Sequence, residues 1–461
     1  MYSRDYYINY KIPQIGKEFD LLKISKEFIL NIELKSKVDQ IEKIKAQQNK
    51  NYKYLKFLDR DVNIVTFDSQ KSIFYEYDIK NEKTKIVEKE RIIELISRCV
   101  INCENCEISL DELFKPKNYL VSPFNKTDEF LENKYVLTQQ QEKIINEINK
   151  KDTQYNFIKG DAGTGKSLLI YDFAKKAGLK NTLIIHVGKL NSGHNKLNMN
   201  GFNIKAVRII PKSNQDPLTS VIEASFVQEN IRYIIIDESQ RINAGQLKVI
   251  VEWVKKYNIK LICSYDLQQY LHNNETNFSV IKLYDFILKN APEKLYNANL
   301  GKKIRTNKYL SAFVKCLYTP SKFDSFKNDI KAEIKFYVDI EFYGSTDDVE
   351  KTIKILEHDS WKYIRYTESN YNSQDRIKTA NVESNSICVN SHDVIGQEFE
   401  KVVVVLDNNF FYKDGELCGS DSYYNCEMML YENLTRAIGK IKIIIHDNLE
   451  LYRIIYKLIY N

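Results

Sequence analysis

The chain has 461 residues, of which 43% are hydrophobic and 28% are charged, a composition typical of folded globular proteins and not of disordered ones. The formal net charge of +6 permits a polyanionic partner without requiring one. No apolar run reaches the length of a membrane span, and the N-terminus lacks an apolar signal core. We therefore expect a cytoplasmic protein that has no membrane partner and is long enough for about three domains.

Eight cysteines in a long cytosolic chain predict free thiols and not a disulfide framework. Three of them, Cys99, Cys103 and Cys106, lie close together and are candidate metal ligands. A complete zinc or iron–sulfur site uses four ligands, and no fourth partner follows nearby. The pattern therefore favours free thiols over a metal site.

Near the N-terminus, the runs Glu18 to Ile24 and Phe28 to Lys35 predict two strands joined by a tight turn. Side chains alternate along a strand, so Glu33 and Lys35 share one face. A turn centred between residues 26 and 27 would place Asp20 opposite Glu33, and two facing carboxylates repel unless a cation lies between them. We expect Asp20 and Glu33 to hold magnesium, with Lys35 beside the attacking water.

This arrangement resembles the PD-(D/E)XK nuclease core found in RecB-type and NERD-like domains. A polar helix follows from Lys37 to Phe57, and on it Gln48 and Tyr52 have the Q-x-x-x-Y spacing of some of these nucleases. The resemblance implies a restriction-endonuclease-like α/β domain over residues 1–116, with Gln48 in its catalytic site. An inactive remnant, or a binding or recruitment module that does not cut, is the alternative.

Residues 117–136 include Pro123, Asn125 and several charges, which predicts a connector. The run Leu137 to Gln141 then opens a helix about twenty residues before a glycine-rich turn. Leu-Thr-x-x-Gln at this distance resembles the Q motif of superfamily 1 helicases. By that resemblance the amide of Gln141 recognises the adenine edge.

The glycine-rich turn follows an apolar strand and precedes a helix, with the spacing G-x-x-x-x-G-K-[ST] of a phosphate-binding loop. Glycines allow backbone N–H groups to surround an anion, and the helix N-terminus adds partial positive charge. Lys166 is expected to reach the β- and γ-phosphates of a nucleoside triphosphate, and Ser167 to ligate magnesium. The expected nucleotide-binding residues of this loop are Gly160, Gly163, Thr164, Gly165, Lys166 and Ser167.

The run Ile231 to Ile236 has the continuous apolar pattern of a buried parallel strand, and Asp237 and Glu238 follow it. An aspartate at a strand's carboxyl end holds magnesium through water, and the next glutamate orients the hydrolytic water. Between the glycine-rich turn and this strand, Lys189 and His194 lie where motif Ia of the superfamily 1 helicases contacts a nucleic-acid strand.

Two further stretches fit that superfamily. Tyr265 to Gln269 matches motif III, G-D-x-x-Q, with tyrosine in place of glycine, and Gln269 would sense the γ-phosphate. Arg305 lies where motif IV supplies an arginine to the γ-phosphate.

The C-terminal part carries two more motif-like stretches in the superfamily order. Glu398 belongs to a Gly-x-Glu-Phe segment similar to motif V, which contacts ribose and nucleic-acid backbone. Arg436 lies in a segment similar to motif VI and would be the second arginine finger. The order of seven such stretches is stronger than any single match.

The resemblance spans residues 117–461 and is closest to compact superfamily 1 ATPases related to the helicase part of Schlafen proteins. It implies two RecA-like doubly wound domains with mainly parallel sheets, residues 137–298 and 299–461, closing on ATP. The gaps after His194 and Arg305 are too short for the large accessory domains of UvrD-type helicases. This favours translocation or remodelling over processive unwinding.

The leading interpretation is an ATP- and magnesium-dependent motor fused to a nuclease. It would act on nucleic acid, with DNA favoured and RNA possible, in defence against foreign DNA, and protein partners or an oligomer remain open. The alternative is an ATP-driven nucleic-acid-sensing switch whose N-terminal domain does not cleave. A small-molecule kinase is disfavoured because it leaves Gln269, Arg436 and the second domain unexplained.

Overall fold

A computed structural model describes residues 6–12, 16–101, 110–114, 121–216, 219, 222–223, 226, 230–271, 278–301, 307–368, 389–420 and 424–460. The chain divides into two compact units. The first contains Met1–Val121 and Asp128–Lys143, and the second contains Ser122–Thr127 and Ile144–Asn461. The boundaries at residues 117, 137 and 299 that we expect from the sequence stay predictions.

The first unit is built on a mixed sheet whose six strands follow chain order. All neighbours pair antiparallel except β3 and β4, which are parallel. The strands are β1 (Tyr7–Lys11), β2 (Glu18–Ile24), β3 (Phe28–Lys35), β4 (Asp61–Asp68), β5 (Ile73–Asp78) and β6 (Lys83–Val87). The predicted hairpin is confirmed: Leu21 pairs with Ile32, and this register sets Asp20 opposite Glu33.

Helices cover both faces of this sheet. They are α1 (Ile41–Leu55) and α2 (Lys89–Ile101). The chain continues with α3 (Leu110–Leu113), α4 (Thr127–Leu131) and α5 (Gln139–Lys150), and the boundaries of the two units fall within α4 and α5. The even-numbered apolar residues of β3, such as Leu30, pack with Leu95 of α2. The odd-numbered Asn31 and Glu33 face α1. Strand β3 is therefore buried on both faces, because helices lie on either side of it.

The second unit contains two parallel sheets. The first has the order β12-β7-β11-β10-β8-β9 with every pair parallel. Its strands are β7 (Tyr155–Gly160), β8 (Thr182–His186), β9 (Ile204–Ala206), β10 (Tyr233–Asp237), β11 (Lys260–Tyr265) and β12 (Leu295–Leu300). The helices between them are α6 (Lys166–Ala177), α7 (Ser192–Met199), α8 (Ala244–Lys256) and α9 (Ser279–Asn290).

The second parallel sheet has the order β13-β19-β16-β14-β15. Its strands are β13 (Val338–Tyr343), β14 (Lys362–Arg365), β15 (Val389–Asn390), β16 (Phe399–Leu406) and β19 (Ala437–His446), and β17 (Phe410–Lys413) and β18 (Glu416–Gly419) form a separate hairpin. The helices are α10 (Lys308–Tyr318), α11 (Asn328–Ile334), α12 (Thr346–His358), α13 (Cys426–Thr435) and α14 (Leu449–Tyr460). Parallel sheets covered by helices agree with the expected α/β class.

Apolar runs in the central strands create the two cores of this unit. Ile234, Ile236 and Leu261 belong to the core of the first parallel sheet, and Val402 and Ile443 to that of the second. Such continuous apolar strands are typical of parallel sheets buried on both faces. None of the described helices is long and apolar enough to span a membrane.

Candidate functional site

Three neighbouring strands of the first parallel sheet end where the predicted nucleotide residues begin. The glycine-rich loop follows β7, Asp266 follows β11, and Asp237 ends β10. These strands are adjacent and parallel, so their carboxyl ends lie at one edge of the sheet. In open α/β sheets this edge is where ligands bind. The topology therefore brings the glycine-rich loop to the same edge as Asp237 and Asp266, which lie far downstream in sequence.

The loop itself has the backbone geometry of an anion cradle. Gly163 and Gly165 have φ angles of 74° and 83°, in the left-handed region that favours glycine. Gly165 caps helix α6, which begins at Lys166 and directs its first N–H groups into the loop. A Cβ at Gly160 would lie 2.6 Å from Oγ1 of Thr164, whose hydroxyl donates to the Asp161 carbonyl. Glycine is therefore required at residue 160 by close packing and is favoured at residues 163 and 165 by the backbone conformation.

Lys166 is almost completely buried at the base of this loop. Its ammonium donates to the carbonyl oxygens of Gly160, at 2.7 Å, and Asp161, at 3.1 Å. It also lies 3.7 Å from Oδ2 of Asp266. Burial raises the pKa of Asp266, and Lys166 partly offsets this by favouring the carboxylate. The predicted phosphate lysine thus has a buried anionic partner at the end of β11.

Asp237 is placed as the sequence predicts, at the carboxyl end of β10. One carboxylate oxygen accepts a hydrogen bond from Oγ of Ser264 at 2.8 Å. The other, Oδ2, is buried, lies 3.5 Å from Nδ1 of His186, and accepts no hydrogen bond from the part of the chain that the structure describes. A buried carboxylate oxygen without a donor is suited to a cation or its water. Ser167 is half-buried in the first turn of α6.

The neighbouring Glu238 has a strained backbone, with a φ angle of 58°. Its Oε2 accepts a hydrogen bond from Nε2 of Gln240 at 2.7 Å. Burial would raise the pKa of Glu238, but Arg241 and Lys166 and the Gln240 hydrogen bond together hold it well below its usual value. Glu238 is therefore a buried carboxylate kept in its charged form.

Gln269 lies beside this pair. Its carbonyl accepts hydrogen bonds from Nε2 of Gln240 and Nε of Arg241, each at 3.1 Å. Its side-chain nitrogen, Nε2, is buried and donates to no residue that the structure describes. The tyrosine that replaces the usual glycine of motif III, Tyr265, packs into the sheet core. Gln269 therefore has a donor available at the edge where the phosphate loop lies.

Arg436 belongs to the second parallel sheet's side of this unit, just after helix α13. Its guanidinium donates to the carbonyl of Gln397 at 3.2 Å, and Nη2 lies 3.3 Å from Oε1 of Glu432. Oε2 of the same glutamate accepts from Nη2 of Arg241 at 3.1 Å. All three charged side chains are more than nine-tenths buried. The sequence did not indicate Arg241 or Glu432.

The predicted motif V residue Glu398 makes its described contacts through the backbone. Its N–H donates to Oδ1 of Asn125, and its carbonyl accepts from Nδ2 of Asn125. Its side chain lines an open cavity of about 420 Å³ with Trp361 and Phe399. The predicted contact of Glu398 with ribose or nucleic-acid backbone stays a prediction.

The motif Ia residues are separated by the fold. His194 is fully buried, with its ring 4.2 Å from that of Phe124 and 4.4 Å from that of His186. It therefore does not lie on the surface where a nucleic-acid strand would bind. Lys189 is exposed, and its ammonium lies 2.8 Å from Oδ1 of Asp393.

The remaining predicted residues have mixed outcomes. Gln141 belongs to the first unit and is fully buried, and its side-chain oxygen accepts from the Thr138 N–H at 2.8 Å. Recognition of adenine by Gln141 stays a prediction. Arg305, like Cys103 and Cys106, lies outside the described residues. Cys99 lies on helix α2.

In the first unit, the carboxylate of Glu33 is surrounded by amides. Its Oε1 accepts hydrogen bonds from Asn31, at 3.3 Å, and Asn51, at 2.9 Å. Its Oε2 accepts from Nε2 of Gln47 at 2.5 Å. Glu33 is only 2% exposed. These neutral donors hold the carboxylate in place without neutralising its charge.

Asp20 and the nearby lysines complete this cluster. Oδ2 of Asp20 accepts from the Leu34 N–H at 2.8 Å, across the β2–β3 pair. Burial lowers the pKa of Lys17; Glu33 and Asp20 act against this, while Lys50 and Lys35 add to it. Lys17 thus lies within electrostatic range of all four charges, and a common site of Asp20, Glu33 and Lys35 stays a prediction. Lys17 and Lys50 were not foreseen.

Gln48 is not part of this cluster. Its amide donates to Oγ1 of Thr66 and to the carbonyl of Tyr75, and its oxygen accepts from Oγ1 of Thr84. The adjacent Gln47 contacts Glu33 instead. Both Gln47–Asn51 and Gln48–Tyr52 have a spacing of four residues, so the helical period alone does not choose between the two faces.

The donor sets differ in how well they fit magnesium. Magnesium retains several waters and takes few protein carboxylates when phosphates are also ligands, so Ser167 and Asp237 suit it. Asp20 and Glu33 supply two carboxylates to the N-terminal cluster. Among the described residues, no group of three or more histidine, cysteine, aspartate or glutamate side chains has metal-binding geometry.

A family model described as "Schlafen group 3, DNA/RNA helicase domain" matches residues 153–393, just over half of the chain. The match begins before the phosphate loop and extends through Asp237, Glu238 and Gln269 into the second parallel sheet. No curated protein matches the sequence.

Among solved structures, a Bacteroides Pif1 helicase in complex with ADP-AlF3 and ssDNA is 14% identical, with a TM-score of 0.38 over 67% of this chain and 92% of that one. A Bacteroides Pif1 with ADP-AlF4 is 13% identical, with a TM-score of 0.39 over 70% and 96%. An arterivirus nonstructural protein 10 helicase is 11% identical, with a TM-score of 0.33 over 68% and 64%. At such low TM-scores, these structures carry no argument about the chain, and the family to which it is similar is indicated by the family model alone.

Proposed function

Because the chain belongs to the family of Schlafen group 3 DNA/RNA helicase domains, we propose that it is an ATP-driven motor on nucleic acid. The observation that carries this proposal is the convergence of Lys166, Asp237, Glu238 and Gln269 at one sheet edge. Buried polar atoms at this edge, Oδ2 of Asp237 and Nε2 of Gln269, have no hydrogen-bond partner among the described residues. A magnesium–nucleotide complex would satisfy both.

The roles follow from chemistry and position. Lys166 would bind the β- and γ-phosphates, and Ser167 and Asp237 would hold magnesium, which neutralises developing charge on the transferred phosphoryl group. Glu238, charged and fixed by Gln240, would orient the hydrolytic water. Gln269 would donate its amide to the γ-phosphate and transmit its presence to the nucleic-acid side.

Arginines would close the site from the second parallel sheet. Arg436 is the candidate supported by geometry, because its segment contacts Arg241, which follows the Asp237–Glu238 pair. Arg305 is proposed on its sequence alone. Opening and closing of the cleft in each cycle would move a bound single strand. The short insertions favour translocation or remodelling over processive unwinding.

We further propose that the first unit is a magnesium-dependent nuclease acting on DNA. This is supported by the buried Glu33, the facing Asp20, and Lys35 in the same electrostatic cluster. Asp20 and Glu33 would hold the metal, and Lys35 would orient the water. Gln47, not Gln48, is the glutamine that fixes the carboxylate. A role in defence against foreign DNA would follow from combining a motor with a nuclease.

One observation favours a second candidate, a nucleic-acid-sensing switch with a non-cleaving N-terminal unit. Both oxygens of Glu33 already accept hydrogen bonds, from Asn31, Asn51 and Gln47. Such a carboxylate is a weaker metal ligand unless these amides rearrange. A fully bonded Glu33 would instead be a structural residue of a recruitment module.

ATP hydrolysis tests the motor. We expect hydrolysis by the wild type to be stimulated by single-stranded DNA or RNA, and Lys166→Ala to lose both basal and stimulated activity. Lys180→Ala, an exposed lysine between α6 and β8, is the matched control and should match the wild type. Hydrolysis that is indifferent to all nucleic acids would contradict the motor proposal.

Cleavage of labelled DNA tests the nuclease. We expect magnesium-dependent cleavage by the wild type and none by Lys35→Ala, with ATP hydrolysis intact in both. Lys37→Ala removes an exposed lysine two residues further on and should still cut. Absence of cleavage by the wild type on single- and double-stranded DNA, with and without ATP, would favour the switch.

A further inference from the structure

The arginine assigned to the γ-phosphate is already paired with a buried glutamate of the preceding helix, α13. Nη2 of Arg436 lies 3.3 Å from Oε1 of Glu432, and its Nε donates to the Glu432 carbonyl at 3.2 Å. Its Nη1 donates to the Gln397 carbonyl. Two nitrogens of the guanidinium therefore donate to backbone carbonyls, and the third, Nη2, forms an ion pair with Oε1 of Glu432, which accepts no hydrogen bond from the described residues.

Glu432 also binds the segment that carries the catalytic carboxylates. Its Oε2 accepts from Nη2 of Arg241 at 3.1 Å, and Arg241 lies three residues after Glu238. Glu432 is 1% exposed, so neither ion pair is weakened by solvent. One carboxylate thus pairs with two arginines, through a hydrogen bond from Arg241 to Oε2 and through the charge of Arg436, which lies 3.3 Å from Oε1.

We propose that Glu432 is an internal counter-ion that competes with the γ-phosphate for Arg436. A guanidinium binds carboxylate and phosphate with the same planar pattern of donors, so one partner must be released for the other to bind fully. Nucleotides that end at the β-phosphate would leave the Glu432–Arg436 pair intact. When a γ-phosphate is bound, Arg436 would pair with that phosphate instead, and Glu432 would remain paired with Arg241. Glu432 is thus a positioning residue that makes closure depend on the γ-phosphate.

This inference rests on the proposed role of Arg436, and the test separates the two. The full-length chain is titrated with fluorescent derivatives of ATPγS and of ADP, and dissociation constants are compared. We expect Glu432→Gln, which keeps the shape and removes the charge, to bind ATPγS about tenfold more tightly, the change expected for loss of one competing ion pair. ADP binding should not change.

Controls identify which claim fails. Glu427→Gln makes the same substitution in the first turn of α13, away from both arginines, and should behave as the wild type. Arg436→Ala should reduce the preference for ATPγS over ADP, and adding Glu432→Gln to it should give no further gain. If Arg436→Ala keeps the wild-type preference, the arginine-finger assignment is wrong.

If Arg436→Ala loses the preference but Glu432→Gln binds both nucleotides as the wild type does, only the competition is refuted. Equal tightening for ATPγS and ADP would also refute it, because the effect would not involve the γ-phosphate. Thermal unfolding checks that the variants are folded. If Glu432→Gln does not fold, Glu432→Asp withdraws the carboxylate by one methylene. The same selective tightening is then expected at smaller amplitude, and its absence refutes the proposal.

Discussion

The ammonium of Lys166 lies 3.7 Å from Oδ2 of Asp266, and the two side chains are 7% and 1% exposed. A lysine expected to bind phosphate is therefore paired with a buried carboxylate from the next strand of the sheet. Burial raises the pKa of this carboxyl group, and the lysine opposes the shift. The pair lowers the positive potential that a triphosphate would meet in the loop.

We expect Asp266→Asn to bind an ATP analogue more tightly, by roughly tenfold, because the substitution removes a buried negative charge beside Lys166. A fluorescent analogue titration measures this. Asp161→Asn removes a charge from an exposed loop position and should change affinity little. Weaker binding by Asp266→Asn in a folded protein would show that Asp266 positions Lys166 and does not compete for it.

Gly160 tests the tight packing of the phosphate loop. A Cβ there would lie 2.6 Å from Oγ1 of Thr164 and 3.0 Å from Cβ of Leu300. We expect Gly160→Ala to destabilise the protein by about 1–3 kcal/mol, the usual cost of overpacking, and to weaken nucleotide binding. Gly344→Ala is the control, since a Cβ at Gly344 meets nothing within 4 Å. Thermal unfolding of the two variants should differ clearly.

The two adjacent glutamines of helix α1 should give opposite phenotypes. Gln47→Ala releases Glu33 and should lower DNA cleavage about tenfold or more while stability changes little. Gln48→Ala breaks three hydrogen bonds to β4, β5 and β6 and should cost roughly 1–3 kcal/mol of stability for the buried groups left unpaired. Cleavage rates and unfolding midpoints are measured together. If Gln48→Ala is as stable as the wild type but does not cleave DNA, Gln48 belongs to the catalytic site.

His194 should make stability depend on pH. Burial lowers the pKa of His194 to about 2, with His186 adding to the shift and Asp237 opposing it. The unfolded chain binds a proton near the ordinary value of 6.5 and the folded chain does not. The contribution of His194 to the free energy of unfolding is therefore fully present above that value and is lost as the pH decreases. For one such group, the free energy of unfolding falls by about 2 kcal/mol between roughly pH 7 and pH 5.

His194→Gln should reduce this slope. The glutamine oxygen can still accept from the Asn191 N–H, as the histidine ring does, so the helix cap is kept. Burial also lowers the pKa of His392, to about 4, and a smaller slope will therefore persist. His358→Gln, at an exposed position, should leave the slope unchanged. Denaturant unfolding across this pH range measures the slope. A wild-type slope in His194→Gln would show that His194 does not cause the pH dependence of stability.

Much of the site was predictable because local spacing encodes it. The strand–glycine–helix order positioned Lys166, and the apolar run before Asp237 identified a buried parallel strand. The short connection between β2 and β3 determined their register, and so the facing positions of Asp20 and Glu33. In each case a period or a turn length determines which atoms meet.

Other contacts have no local signal. Arg241 and Glu432 are 191 residues apart, and nothing near either residue indicates the other. Gln47 and Gln48 lie on the same helix, and only packing of α1 against the sheet decides which faces Glu33. His194 is buried because Phe124, far upstream, covers it. Tertiary contacts of this kind depend on topology, which spacing within one element does not contain.

The short segment Ser122–Thr127 limits how the chain can be divided. It belongs to the second unit, although residues on both sides of it belong to the first. The ring of Phe124 packs on His194, and its backbone passes so close to Gly193 that a Cβ there would lie 2.4 Å from the Phe124 carbonyl oxygen. A truncated protein that starts at Ile144 would lack the Phe124 ring that packs on His194. The N-terminal unit could therefore be exchanged for another only if the six residues Ser122–Thr127 were kept.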